Sequence, residues 1–174
     1  MQTNAVRTVR VAVIGGGSLH AAGILRAFVR EARRVEAIHI TLHDLDAARV
    51  ERMRALGANL ARHAGVNVTL AGTTDLDAAL AGADFVLTCF RIGGPNLRRL
   101  DEALCLKHGF FGNEVDGPGG LLLALRTVPV VVDIARRMER LCPQARLVNY
   151  ANPSGMVAEG VRRTTRIREI SLCD

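Results

Sequence analysis

An apolar run from Val9 to Ile14 breaks abruptly into GGGS at Gly15 to Ser18 and then into a helical pattern, and this order constrains the fold more than anything else in the chain. Consecutive glycines permit a tight turn, and they let backbone N–H groups approach an anion at the positive end of the following helix. After Ser18 the spacing of Leu19, Ala22, Leu25, Ala27, Phe28 and Val29 makes one broad apolar face. A second apolar strand, Ala37 to Leu42, follows, and Asp44 closes it in LHDLD. Strand, glycine turn, helix, strand and acid make the opening βαβ half of a Rossmann-type domain. In that unit Gly15, Gly16, Gly17 and Ser18 hold a dinucleotide's pyrophosphate, and Asp44 accepts from the adenosine ribose. The glycine fingerprint is incomplete, because His20 stands where a third glycine is usual. A carboxylate at Asp44 repels the extra phosphate of NADP, so the expected cofactor is NAD. Capping the helix that starts at Ala47 is the plainer role open to Asp44.

The alternation continues along the chain. A helix is expected from Ala47 to about His63, a strand at Val66 to Leu70, a short helix after Thr74, a buried strand at Phe85 to Cys89, and a helix from about Leu97 to Lys107. The stretch HGFFGNEVDGPGG (108–120) carries too much glycine and proline for regular structure and is a candidate site loop. Leu121 to Leu141 reads as a long helix with a kink or break near Thr127 to Pro129. Arg146 to Tyr150 is the fifth strand, Pro153 starts a helix, and Glu169 to Leu172 is the sixth strand. The expected fold is α/β: a Rossmann-like, doubly wound, mainly parallel sheet of about six strands in three layers, with residues 1–174 as one domain.

Composition narrows the classes of partner. With 49% hydrophobic residues and a mean hydropathy of +0.18 the chain can bury a real core. It has no run of about 18 uncharged apolar residues and no signal-like N-terminus, so a cytoplasmic location without membrane contact is expected. A net charge of +6 invites nucleic acid. However, Arg33–Arg34, Arg98–Arg99, Arg136–Arg137 and Arg162–Arg163 lie as isolated pairs within helical patterns, and 3% aromatic content is too little for base stacking, so solvated helix faces account for the charge. Cys89, Cys105, Cys142 and Cys173 are scattered without framework or zinc spacing and read as reduced, buried thiols, Cys173 excepted.

The remaining unusual residues lie just past the C-terminal ends of expected strands, the edge where open α/β sheets bind ligands. Arg91 follows the fourth strand in CFRIGG, Asn152 the fifth in NYANPSG, and Cys173 with Asp174 the sixth. A surface ion pair for Arg91 and a helix N-cap for Asn152 are the plainer alternatives.

Taken in order, GGGS, Asp44, ADFVLTCFRIGG, GNEVDGPGG followed by LRTVPV, NYANPSG and LCD resemble the N-terminal half of glycoside hydrolase family 4. That family includes 6-phospho-α- and 6-phospho-β-glucosidases, α-galactosidases and α-glucuronidases, and it departs from the two-carboxylate scheme by using NAD with a divalent metal, commonly manganese. The resemblance implies a reaction in which NAD⁺ takes hydride from C3 of the sugar and the metal-polarised ketone acidifies the C2 proton. Elimination then breaks the C1–O bond, water adds, and NADH returns the hydride. Cys173 resembles the family's metal-ligating thiolate. Asp174 resembles the acid that assists the leaving group in α-acting members, which tilts the expected substrate toward an α-linkage. Asn152 resembles a residue that bonds sugar hydroxyls near the metal, and Arg91 and Glu114 fall in segments lining the cofactor and substrate cleft.

Ala21, Ala22 and Gly23 depart from the Thr-Pro-Glu stretch that commonly follows the family's glycine turn. The family's metal-binding histidine, tyrosine base and phosphate-binding basic residues have no counterpart up to Asp174. The expectation is therefore the NAD-binding domain of a glycosidase acting on a small, often 6-phosphorylated glycoside, inactive by itself and part of a homo-oligomer when whole. A lactate or malate dehydrogenase relative and a non-catalytic nucleotide-binding module are the competing readings.

Overall fold

In the computed structural model, which describes residues 8–173, the alternating pattern resolves into six strands and six α-helices among the described residues. They fall into two compact units that divide between Cys89 and Phe90. The first holds β1 (Val9–Ile14), α1 (Leu19–Glu31), β2 (Ile38–His43), α2 (Ala47–Ala64), β3 (Val68–Thr73), α3 (Leu76–Leu80) and β4 (Phe85–Thr88). Its strands are ordered β3-β2-β1-β4 and every neighbouring pair is parallel, with Val11 opposite Ile40 on one side and Phe85 on the other. Parallel strands need covered faces, and their apolar runs supply the core: Val13, Ile40, Leu42 and Val86 are fully buried together with Leu25 and Leu80 from the helices.

Close packing explains two details of this unit. A methyl group added at Gly57 would fall 2.4 Å from Leu70 Cδ2 and 3.2 Å from Leu25 Cδ1, so α2 lies close to β3 and α1 here and any side chain would have to push these leucines aside. The third strand runs Val68–Thr73 rather than Val66–Leu70, because the Val66 N–H is spent on the Ala61 carbonyl at the end of α2 and pairing with β2 begins at Val68. The cap of α2 is Asp46, whose Oδ1 accepts from the N–H groups of Ala48 (3.0 Å) and Arg49 (3.1 Å). Asp44 is thereby released from the capping role. Asp46→Ala is expected to lower stability by about 1 kcal/mol, read from denaturant melts, because two first-turn donors lose their acceptor.

The second unit holds α4 (Gly94–Lys107), α5 (Gly117–Leu141), β5 (Arg146–Asn149), α6 (Ser154–Thr164) and β6 (Arg168–Ser171). β5 and β6 pair in parallel, α5 packs on α6 and on α4, and Val131, Ile134, Met138, Leu147, Val157 and Val161 form the core. Two expectations are corrected here and a third is narrowed. First, α4 begins at Gly94, with Pro95 in a first turn that tolerates it. Second, GPGG is the start of α5, not loop. A methyl on Gly119 would come 2.2 Å from the Asn113 carbonyl oxygen and one on Gly120 2.9 Å from the Val115 carbonyl carbon, so these glycines serve close approach rather than a turn. Third, α5 runs through Pro129 without a break. The carbonyl that Pro129 leaves unbonded belongs to Leu125, which is 67% exposed and open to water, while buried Thr127 and Val131 pin the turns on either side. By length and composition alone α5 could cross a membrane, but half of its apolar stretch is buried within the fold, which makes it a core helix.

Candidate functional site

In the first unit the glycine turn is fixed by strand ends. The N–H groups of Gly15 and Gly16 both donate to the His43 carbonyl at 2.9 and 2.8 Å, and Cys89 N–H donates to the Ile14 carbonyl at 2.8 Å. Gly15 has φ +89°, the left-handed region that favours glycine. Gly16 has no room for a side chain: a methyl would stand 2.9 Å from Leu42 Cβ and 3.0 Å from the Val13 carbonyl oxygen. At Gly17 it would stand 2.8 Å from Arg49 Cβ and 2.9 Å from Asp44 Oδ2.

Asp44 is anchored on both oxygens, Oδ2 accepting from Gly17 N–H at 3.1 Å and Oδ1 from Leu45 N–H at 2.8 Å. Each oxygen keeps a lone pair for a hydroxyl group. Ser18 stands at the N-cap position of α1 but turns its hydroxyl to the Cys89 carbonyl at 3.2 Å and caps no N–H of that helix. The first turn of α1 also carries no acid, whereas α2 and α3 are capped by Asp46 and Asp75. α4, α5 and α6 also start without a side-chain cap, so it is the place of the positive end of α1, directly after the glycine turn, that suits an external anion. The N–H groups of Gly15, Gly16, Gly17 and Ser18 are spent within the turn itself, so it is clearance over the glycines, the uncapped start of α1 and an anchored acid that together fit a dinucleotide.

Cys89, read from sequence only as a buried thiol, belongs to this turn. Its S–H donates to the Gly15 carbonyl at 3.4 Å, and burial pushes the thiol up to about 11 against the opposing hydrogen bond from Ser18, so it stays a protonated donor. His43 holds the turn through its backbone while its ring is buried, with Nδ1 unpartnered among the described residues. Burial lowers the His43 pKa, against a bond to the Thr74 backbone and the charges of Asp44 and Asp75. A base whose folded pKa is depressed stabilises the fold fully above its unfolded value of about 6.5 and loses that contribution as pH falls. Melting temperature is accordingly expected to drop as pH falls below about 6.5, and His43→Gln is expected to flatten that drop.

The second unit brings together three residues singled out from sequence. Arg91 meets Glu114 with its fork, Nη2 donating to Oε1 at 2.8 Å and Nη1 to Oε2, and Asn152 Nδ2 donates to the same Oε1 at 3.0 Å. The Arg91 and Glu114 side chains are 30% and 19% exposed, so this is a part-buried cluster and not a surface ion pair. The Arg91 hydrogen bonds hold the Glu114 carboxyl below the usual range. Asn152 and the charges of Arg91 and Arg98 add to this, and burial opposes it. Asn152 does not cap α6, where Pro153 takes the cap position without a side-chain bond.

Two contributors were not singled out from sequence. Arg98 reaches Glu114 Oε2 at 3.5 Å. Asn149, fully buried, accepts from Ala151 N–H at 3.0 Å and donates to the Ala151 carbonyl at 2.9 Å and to Ser171 Oγ at 3.0 Å, which fixes the loop carrying Asn152. An amide ending the apolar strand RLVN was the available signal. Arg91 and Glu114, with Arg98, Asp101 and Arg126, line a cavity of about 10 Å³, room for a single water. Cys173 is exposed just past β6, Asp174 lies outside the described residues, and no group of three His, Cys, Asp or Glu able to hold a metal gathers among the described residues.

Residues 10–174 match the family described as Family 4 glycosyl hydrolase. The chain is 38% identical over 168 residues to a 6-phospho-beta-glucosidase of Escherichia coli, covering 95% of this chain and 37% of that protein. It is 34% identical over 169 residues to 6-phospho-alpha-glucosidase 1 of Lacticaseibacillus paracasei, covering 97% of this chain and 38% of that one. It thus spans under two fifths of the length of these relatives. A solved 6-phospho-alpha-glucosidase from gut microorganisms, in complex with NAD and Mn2+, matches 97% of this chain and 39% of its own with a TM-score of 0.87 at 31% identity. A lactate dehydrogenase of Cryptosporidium parvum matches with a TM-score of 0.68 at 16% identity, which reflects the shared Rossmann-like α/β fold alone. The ordered motifs, the strand order around the glycine turn and the match over nearly every residue agree: the chain belongs to glycoside hydrolase family 4.

Proposed function

We propose that this chain is the NAD-binding domain of a glycosidase that hydrolyses 6-phosphorylated glucosides. The observation that carries the reading is the glycine cradle, sterically closed to any side chain at Gly16 and Gly17 and left uncapped at α1, with Asp44 anchored beside it. NAD, when bound, supplies a hydride acceptor that is regenerated within each turnover. Gly15, Gly16, Gly17 and Ser18 give the pyrophosphate close approach to the start of α1, and Asp44 receives ribose hydroxyls.

In the second unit Glu114, kept ionised by Arg91, orients the Asn152 amide so that its oxygen is left to accept a sugar hydroxyl. Cys173 would give a divalent metal one ligand. The described residues do not complete a metal site. The coverage of 37% and 38% of the relatives supports the view that further polypeptide of a parental protein supplies the rest of the active site. A cytoplasmic setting is supported by the thiols of Cys89, Cys105 and Cys142, which are buried without disulfides. Oligomer formation by the parental protein belongs to the same proposal, supported by Leu100 and Leu104 on α4 and Leu121 and Leu125 on α5, apolar and exposed on two packed helices.

The test is cleavage of nitrophenyl 6-phospho-α- and 6-phospho-β-glucosides by the parental protein with NAD⁺, Mn²⁺ and reductant under anaerobic conditions. The expected result is cofactor-dependent cleavage with preference for the α-anomer, the assignment that rests on Asp174, and none by the 174-residue chain alone. Failure to cleave any phosphorylated or free glycoside, or reduction of a 2-keto acid with NADH, would overturn the proposal.

A further inference from the structure

Gly17, Asp44 and Arg49 meet at one point. A methyl on Gly17 would lie 2.8 Å from Arg49 Cβ and 2.9 Å from Asp44 Oδ2, so the arginine stem and the acid flank the same glycine. The two side chains are held very differently. Asp44 is fixed by two backbone donors, Gly17 N–H and Leu45 N–H. Arg49 is 61% exposed and pairs through Nε with Asp46 Oδ2 at 3.2 Å, while Asp46 is itself 47% exposed and has its other oxygen on the first turn of α2. Exposed pairs of this kind are weak, and a planar guanidinium is well suited to a phosphate.

We infer that Arg49 is a second determinant of cofactor choice: a cation placed to bind the 2′-phosphate of NADP, whose effect is cancelled by the fixed carboxylate of Asp44. The inference rests on the dinucleotide reading of the glycine turn. In the native chain the fixed anion decides, since it cannot swing away from an incoming phosphate while Arg49 must first leave Asp46. Removing the Asp44 charge leaves Arg49, whose stem borders Gly17, as a cation that can move to the phosphate. A chain read as NAD-selective therefore lies one residue from accepting a 2′-phosphorylated dinucleotide, and the barrier is local charge, not the shape of the cradle.

The experiment is equilibrium binding of NADH and NADPH to the 174-residue chain, followed by nucleotide fluorescence. The variants are wild type, Asp44→Ser, Asp44→Asn, Arg49→Ala, and each Asp44 change combined with Arg49→Ala. Asp44→Asn keeps the side-chain shape should Asp44→Ser fold poorly. Wild type is expected to favour NADH by at least about thirtyfold, and loss of the Asp44 charge to tighten NADPH by about tenfold, the scale of one nearby unit charge. Adding Arg49→Ala is expected to remove that gain while changing NADH affinity by less than about threefold, because alanine keeps the Cβ that borders Gly17 and removes only the guanidinium. The inference is overturned if neither Asp44 variant gains affinity for NADPH, or if the gain survives Arg49→Ala. Wild-type chain that binds neither nucleotide overturns the domain assignment along with it, a result separate from both of those.

Discussion

Alanine at Gly17 is expected to weaken NADH binding by at least about thirtyfold, a loss of about 2 kcal/mol, with a smaller effect on the melting temperature. The added methyl would press on Arg49 Cβ at 2.8 Å and on the Asp44 carboxylate at 2.9 Å. Arg49 Cβ cannot retreat, because it is fixed by the first turn of α2. Asp44 must move instead, giving up the Gly17 N–H and the position proposed for accepting the ribose. Alanine at Gly16 acts on the fold as well. Its methyl would meet Leu42 Cβ, Leu42 Cα and the Val13 carbonyl, all within 3.1 Å, and none of these is the end of a flexible side chain. Overpacking of this kind costs about 1–3 kcal/mol, so Gly16→Ala is expected to lower both stability and affinity. Nucleotide fluorescence and thermal melts on the two variants check the pair. NADH affinity within threefold of wild type in Gly17→Ala would count against the cradle.

The second large effect is expected at Glu114. Glu114→Ala removes the acceptor shared by Arg91 and Asn152 and the nearby charge that faces Arg98. Leaving those donors unpaired in a site only a fifth to a third exposed is expected to cost about 1–3 kcal/mol, kept modest by solvent screening. Glu114→Gln keeps one acceptor oxygen and the shape, and is expected to recover part of the loss. The pH dependence separates charge from shape. Arg91 holds the Glu114 pKa below its ordinary value, so its contribution is present above the unfolded carboxylate pKa of about 4.3 and is lost as pH falls through the lower folded value. Denaturant melts at neutral and acid pH are expected to show this acid-sensitive contribution in wild type and not in Glu114→Gln. If the proposed glycosidase reading holds, cleavage by a longer protein carrying this domain is expected to fall about a hundredfold in Glu114→Ala, where Asn152 loses the partner that orients its amide, and less in Glu114→Gln, which keeps an acceptor.

What could be read ahead of the structure follows from how local each feature is. Val9–Ile14, the glycines and the following helix were legible because an apolar strand running into consecutive glycines has few other resolutions. Asp44 was legible as a strand-ending acid. That Asp46 and not Asp44 caps α2 depends on the backbone path between two acids two residues apart, which composition does not encode. Helix α5 starts at Gly117–Gly120, where a loop is expected, because local propensity is outweighed by packing against Asn113 and Val115, and at Pro129 its continuity excludes a break. Arg91, Glu114 and Asn152 each announced themselves by place or motif, but their mutual bonds join residues 23 and 38 positions apart, which no local pattern contains. Cys89 and Asn149 looked like ordinary strand residues, and only their partners, the Gly15 carbonyl and the Ala151 backbone, reveal what they hold in place.

The central claim is that the turn at Gly15 to Ser18, with Asp44, holds NAD. Calorimetric titration of the 174-residue chain with NAD⁺, in parallel with its Gly17→Ala variant, tests it most directly. Saturable one-to-one binding by the wild type that is lost in a folded Gly17→Ala variant is the predicted result. No saturable binding by the wild type, or equal binding by both, contradicts it.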